Sequence, residues 1–232
     1  MSRSRTALVT GANGGIGAAI CERLASEGMR VLGLDMKGDC DIRLDLAVDP
    51  LPGDLLEEVD VCVSNAAIVD TIAPAHRMSR EQWERDLDVN LSGAFRVIQA
   101  CLGGMRRRQW GRVIVISSAA ARLGLSGQVA YSASKAGLHG LVRTLAIESR
   151  NHGITANCVL PGMVATPTTL RMPAPVLERV LGSLPMERMA EPAEVAALVA
   201  FLASEDAGYI TAQEISIDGG LGLSPLSLGS AR

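Results

Sequence analysis

No apolar run in this chain approaches the roughly 20 residues that a membrane span requires. The opening MSRSRTALVTG turns into glycines after a handful of apolar residues, too soon for a signal peptide, so the expected location is the cytoplasm. The cysteines lack any pairing pattern. Cys21, Cys40, Cys62, Cys101 and Cys158 are odd in number, widely scattered and never in a Cys-x-x-Cys pair, which argues against disulfides and zinc, and no metal site is expected. A basic excess is also missing: with a net charge of −3 the chain carries no electrostatic footprint for nucleic acid. Aromatic residues make up only 3% of the chain, two of them tyrosines, and one of the two, Tyr131 in AYSASKAG, stands four residues before Lys135 with nothing larger than serine between them.

What is present is a hydrophobic content of 48%, enough to bury a full core in one domain spanning 1–232. Short apolar runs recur at 6–10 (TALVT), 30–35 (RVLGLD), 59–65 (VDVCVSN), 112–118 (RVIVISS), 154–160 (ITANCVL) and 214–218 (EISID). Runs this continuous suit strands covered on both faces. Helical patterns lie between them. At SREQ, Ser79 and Gln82 predict a capping box, and Trp83, Leu87, Leu91, Phe95, Ile98, Leu102 and Met105 continue at helical spacing. A second helix is predicted from about 126 to 150, with Leu138, Leu141, Val142 and Leu145 on one stripe. Strands alternating with helices imply an α/β fold, a Rossmann-like doubly wound parallel sheet with helices on both faces. In such sheets ligands sit beyond the carboxyl ends of the strands. The tail after Gly220 is expected to be loosely structured.

The first strand runs into TGANGGIG, with glycines at 11, 15 and 17, and then into a helix carrying Ile16, Ile20 and Leu24. Glycine lets a backbone approach a pyrophosphate, and a helix amino terminus supplies N–H donors and a favourable dipole. Taken alone, such a turn is equally at home as a structural tight turn. The next strand, however, ends in Asp35, 18 residues past Gly17, where the fold presents an acid to ribose hydroxyls. A carboxylate there repels a 2′-phosphate, which favours NAD over NADP, while Lys37 and Arg43 nearby soften that preference. Asp45 and Leu46, read as ending the following strand, face the adenine on this reading; a surface acid is the plain alternative for Asp45.

Residues four apart on a helix share a face, so Tyr131 and Lys135 point the same way. Ser118, thirteen residues upstream, closes the strand VIVISS, and the intervening loop is long enough to return its hydroxyl to Tyr131. A free phenol titrates near 10, and bringing it down to about 7 takes roughly 4 kcal/mol, which a nearby ammonium in a partly dry site is expected to supply. The small residues Ser132, Ala133, Ser134, Ala136 and Gly137 leave room for a cofactor against this helix. Tyr-x-x-x-Lys by itself also describes a core tyrosine and a solvated lysine; order and spacing with Ser118 and the glycine turn separate the two.

With these motifs in place the chain resembles the short-chain dehydrogenases/reductases of the compact one-domain type. The likeness runs from TGANGGIG through SNAA (64–67), DVNL (88–91), ISS, YSASK and PGMVATP (161–167) to IDGG (217–220). It implies that Tyr131 is the acid/base, that Ser118 polarises the substrate oxygen, that Lys135 binds the nicotinamide ribose and lowers the tyrosine pKa, and that Asn90 holds a water extending the proton path from Lys135. It places Gly11, Asn13, Gly15, Ile16 and Gly17 on the cofactor phosphates, Asn65 and Ala66 along the adenosine, and Pro161, Gly162, Val164 and Thr166 near the nicotinamide. It also implies a homotetramer or homodimer joined through the two long helices and the last strand. Two departures stand out. SNAA replaces the commoner Asn-Asn-Ala-Gly, and only nine residues separate Asp35 from Asp45, too few for the usual connecting helix, as in some NAD-dependent steroid and dihydrodiol dehydrogenases.

Specificity is expected in a substrate lid at about 163–190, whose Met163, Leu170, Met172, Leu177, Val180, Met186 and Met189 suit an alicyclic, aromatic or acyl ketone. Simple packing of these residues onto the body is the plain alternative. The run Arg106 to Arg108 ends a helix, where cations suit the dipole; the rival reading is contact with an acidic acyl carrier protein, since the chain is also similar to 3-oxoacyl carrier-protein reductases. His76 and His139 show no pairing in sequence, and His152 reads as a helix-end surface residue. The sequence thus predicts an NAD(H)-dependent oxidoreductase acting between a secondary alcohol and its ketone, with an NADPH-dependent 3-oxoacyl thioester reductase as the runner-up and a dinucleotide-binding regulatory module as the non-enzyme alternative.

Overall fold

The computed structural model describes residues 4–223. The expected tail falls mostly outside them, from 224 onward. Seven strands form one parallel sheet in the order β3-β2-β1-β4-β5-β6-β7. They are β1 Thr6–Thr10, β2 Arg30–Asp35, β3 Ile42–Arg43, β4 Val61–Ser64, β5 Gly111–Ile116, β6 Ile154–Pro161 and β7 Glu214–Ile217. The apolar runs mark six of the seven, because both faces of the sheet are covered. Leu8 of β1 packs with Val97, Ile98, Leu138 and Val142 on one side, whereas its neighbours Ala7 and Val9 pack with Ile20, Leu24, Val195 and Val199 on the other. The first face is covered by α4 (Ala94–Arg108) and α6 (Val129–Ser149), the second by α1 (Gly15–Ser26) and α9 (Pro192–Ala203).

Two expectations are corrected and one holds. Strand β3 is only two residues long, so Asp45 and Leu46 lie past its end rather than closing it. No helix connects it to β2, as the short spacing predicts; the one-turn α2 (Gly53–Leu56) follows β3 instead. The long helix predicted across 80–108 is divided. The capping box of Ser79 and Gln82 opens α3 (Arg80–Leu87), but a π-helical stretch, Asp88–Gly93, separates it from α4. Such wide turns admit an extra residue at sites where a side chain is redirected. Here Asn90 turns inward onto the backbone of Ile68, accepting from its N–H at 2.8 Å and donating to its carbonyl at 3.0 Å.

The chain leaves β1 toward β2 on one side and reaches β4 on the other, so strand order reverses between β1 and β4. A crevice opens at that point, beyond the carboxyl ends of the strands. No helix among the described residues is long and apolar enough to cross a membrane.

Candidate active site

Two adjoining clefts run along this crevice. One, of about 520 Å³, lies over β1, β2 and β4 between Gly11, Asp35, Leu46 and Ala66. The other, of about 250 Å³, lies over β5 and the start of α6 between Ser118, Tyr131, Lys135 and Gly162. Asn65 and Ala67 border both, making one continuous groove.

The glycines of the first turn do three different jobs. Gly11 has φ +67°, and a Cβ on it would lie 2.9 Å from Ala66 Cα. Gly17 is needed for packing alone: its Cβ would lie 2.0 Å from the Gly11 carbonyl oxygen. Gly15 gives the close approach at the groove, where a Cβ would come 3.0 Å from the Thr166 side chain. The α1 amino terminus has no side-chain cap and no acidic residue in its first turn. Its positive dipole end therefore faces the groove beside Gly14 and Gly15, a cradle suited to a pyrophosphate.

Asn65 fixes this turn, donating from Nδ2 to the carbonyls of Thr10 (2.9 Å) and Gly11 (3.2 Å). At the far end of the larger cleft, Asp35 accepts from the backbone N–H groups of Asn13 and Lys37, both at 3.0 Å. The carboxylate is held at the groove wall while Asn13 itself stays outside. Asp45 borders the same cleft, but its carboxylate accepts from the Ala47 N–H at 2.9 Å and so is tied into its own turn.

At the other end, β5 hands over to α6 through consecutive residues. The Ile116 carbonyl accepts from Lys135 Nζ at 2.7 Å, and the Ser118 hydroxyl accepts from the Ala120 N–H at 3.1 Å and stands close enough to the phenol of Tyr131 to favour its ionised form. The Lys135 ammonium lies 5.8 Å from the centre of the Tyr131 ring. Burial pulls Lys135 down to about 8. Tyr131 goes the opposite way from the sequence expectation. Burial raises its pKa, and the Ser118 hydroxyl offsets this only in part. The reason is geometric: the ammonium is buried and directed at the Ile116 carbonyl, and the half-buried phenol is packed among side chains that keep water from it. The phenol thus keeps its proton at neutral pH and is poised to donate it.

Of the residues singled out from sequence, Gly11, Gly15, Ile16, Asp35, Asp45, Leu46, Asn65, Ala66, Ser118, Tyr131, Lys135, Pro161, Gly162, Val164 and Thr166 all border the groove. Asn13, Gly17 and Asn90 do not. Asn90 is buried behind it, with Nδ2 also donating to Ser134 Oγ at 3.3 Å. Residues not singled out also border it. Gly14, Ala67 and Ser117 were legible as parts of the motifs that contain them, whereas Arg85 carried no signal.

His139 is the clearest miss. It is buried between Ser117 Oγ (2.8 Å from Nε2) and Glu214 Oε2 (3.1 Å from Nδ1), partners remote in sequence. Two of the three terminal arginines of α4 are held in ion pairs: Arg107, exposed, with Glu57 at 2.5 Å, and Arg108, partly buried, with Asp60 at 2.7 Å. His152 is half-buried and lies 2.9 Å from Gln109.

A family model described as "Enoyl-(Acyl carrier protein) reductase" matches residues 38–222, and one described as "short chain dehydrogenase" matches 5–41. The chain is 41% identical over 250 residues to a (3R)-3-hydroxyacyl-CoA dehydrogenase of Mus musculus, covering 94% of this chain and 96% of the relative. It is 40% identical over 232 residues to the 3-oxoacyl-[acyl-carrier-protein] reductase MabA of Mycobacterium tuberculosis (strain ATCC 25618 / H37Rv), covering 95% and 94%. It is 36% identical over 243 residues to an acetoacetyl-CoA reductase of Cupriavidus necator, covering 94% and 98%.

Proposed function

The chain belongs to the short-chain dehydrogenase/reductase family, a family of oxidoreductases, and we propose that it moves hydride between NAD(H) and the 3-position of a 3-hydroxyacyl or 3-oxoacyl thioester. The observation that carries this reading is the meeting of Ser118, Tyr131 and Lys135 in one cleft that continues into the glycine turn and Asp35. Among the alicyclic, aromatic and acyl substrates open from sequence, the acyl class is favoured because the named relatives share a 3-hydroxy or 3-oxo acyl chemistry.

The bound dinucleotide supplies or accepts the hydride. The chain's own residues do the rest. Tyr131, protonated at neutral pH, donates its proton to the ketone oxygen during reduction, and Ser118 donates a hydrogen bond to the same oxygen. Lys135 holds the ribose, while Asn90, fixed by Ile68 and Ser134, carries the water through which the proton of Tyr131 is replaced. Gly15, Ile16 and the first turn of α1 hold the pyrophosphate; Pro161, Gly162, Val164 and Thr166 orient the nicotinamide. The segment 163–190 serves as the substrate lid. The assembly proposed is a cytoplasmic homotetramer or homodimer joined through α4 and α6, where Phe95 and Ile147 are exposed.

The test is turnover of acetoacetyl-CoA, cyclohexanone and an aromatic ketone with NADH and with NADPH. The thioester is expected to exceed the other two by roughly tenfold in kcat/KM, and a preference for the alicyclic ketone would reject the acyl reading. NADH is expected to bind more tightly than NADPH, and Asp35→Asn to narrow the gap by about tenfold through removal of a like charge. Tighter binding of NADPH by the unmodified enzyme rejects the role given to Asp35.

A further inference from the structure

Three consecutive residues at the end of β5 are tied to α6, and only two of them belong to the chemistry just described. Ile116 receives Lys135, and Ser118 meets Tyr131. The middle residue, Ser117, is buried, and its hydroxyl lies 3.1 Å from the Lys135 carbonyl and 2.8 Å from His139 Nε2. The imidazole continues to Glu214 at 3.1 Å through Nδ1. Glu214, at the start of β7, accepts from Arg122 of α5 (Ala120–Leu123) through Nε at 3.2 Å and Nη2 at 3.0 Å, and also pairs with Arg143 of α6. The chain of contacts therefore clamps the segment carrying Ser118 from both sides, through Ser117 before it and Arg122 after it.

We propose that Ser117, His139 and Glu214 form a positioning relay for the reaction, holding Ser118, Tyr131 and Lys135 in register while the imidazole is neutral. It rests on the oxidoreductase reading above.

Counting protons gives the relay two states. The Ser117 hydroxyl has one proton and two acceptors within reach. A neutral imidazole, with its proton on Nδ1 toward the Glu214 carboxylate, accepts the Ser117 proton at Nε2. An imidazolium donates from both nitrogens, so the Ser117 hydroxyl must turn to the Lys135 carbonyl. Protonation thus reverses a hydrogen bond next to Ser118 and places a second cation in the dry region that holds Lys135.

Every element packed around His139 bears on which state holds. Glu214 from β7 favours the cation. Arg122 from α5 and Arg143 from α6 oppose it, Lys135 lies on the same helix, and the Cys158 thiol of β6 stays neutral, pushed up to about 12 by burial. Burial is the largest influence, and His139 titrates below the ordinary histidine range. Glu214 stays ionised: burial raises its carboxyl, but Arg122, His139 and Arg143 outweigh that.

The test compares kcat against pH for the full-length wild type and for His139→Leu and His139→Gln, with NADH and acetoacetyl-CoA saturating, alongside imidazole ¹⁵N spectra of the wild type. A glutamine amide reproduces the neutral imidazole, donating to Glu214 and accepting from Ser117, but cannot take up the proton. The wild type is expected to lose kcat as pH falls through a value below about 6.5. His139→Leu should lower kcat by about tenfold or more with the NADH KM within about twofold, as misplacement of reacting groups does. His139→Gln should recover most of that loss and lack the acid limb.

An unchanged acid limb in His139→Gln, or wild-type kcat in a folded His139→Leu, overturns the relay. The spectra decide independently of turnover. The Nδ1–H tautomer at pH 7 supports the relay, and the Nε2–H tautomer or an imidazolium at that pH overturns it. Wild type that folds, shows the Nδ1–H tautomer and reduces no ketone leaves the relay geometry standing and rejects the functional reading instead.

Discussion

The floor of the groove and its cover are built on opposite plans. On the floor, Gly17 has no room for a methyl group, Asn65 bonds two carbonyls, and Lys135 is buried with its ammonium on Ile116. In the segment proposed as the lid, α7 (Pro167–Leu170) and α8 (Ala174–Gly182) contain no buried residue at all. The cover is closed at its base by the pairing of Val164 with Ala190, and between those two points only Leu184 is buried. A rigid floor holds reacting groups in place, whereas a cover with so little buried surface opens at low free energy. On the function proposed above, this division would assign rate to the floor and substrate choice to the cover.

Tyr131→Phe should break the floor's chemistry most severely. Removal of the proton donor is expected to lower kcat by about 10² to 10⁴, with dinucleotide affinity within about threefold of wild type by fluorescence titration. A variant that still turns over at the wild-type rate removes Tyr131 from the reaction.

Lys135→Met separates function from stability on the same floor. An ammonium whose pKa is drawn down to about 8 is held at neutral pH at a cost on the order of 3 kcal/mol. The methionine variant should therefore lose about a hundredfold in kcat while melting no lower than wild type at pH 7. The sign with pH follows from linkage. Between about 8 and 10.5 the unfolded lysine binds more protons than the folded one, so wild type should gain stability relative to the variant across that window. Calorimetry at several pH values checks this, and a constant difference contradicts it.

Much of this floor was legible in the sequence, and the part that was not has a common cause. Continuous apolar runs gave six strands because a doubly covered sheet needs them. The glycine turn, Asp35 and the Ser118, Tyr131, Lys135 spacing are local patterns, and the chain folds them together. Three features depended on contacts between distant segments. The π turn exists where Asn90 reaches Ile68, and the pairing of His139 with Glu214 joins α6 to β7. The upward pKa of Tyr131 depends on how dry the assembled site is. Spacing told which groups meet but not how much water is left between them.

Gly17→Ala tests whether the floor is as unforgiving as its geometry implies. The added methyl would lie 2.0 Å from the Gly11 oxygen, and backbone on both sides must move. A loss of about 2 kcal/mol or more in chemical denaturation is expected, together with weaker dinucleotide binding. A variant as stable as wild type means that the turn relaxes readily, and the contrast with the cover collapses.

The smallest effect sharpens the contrast from the other side. Met172 lies between α7 and α8 and is 37% exposed, so it contributes little to the folded state. Met172→Ala should change stability by no more than about 0.5 kcal/mol. If the cover selects substrate, the same change should raise KM for a long acyl thioester by about threefold to tenfold and leave that for acetoacetyl-CoA, with its short acyl chain, unchanged. The chain-length dependence distinguishes the two roles: an equal change for both substrates means that the segment merely shields the groove, and selection then belongs to the floor after all.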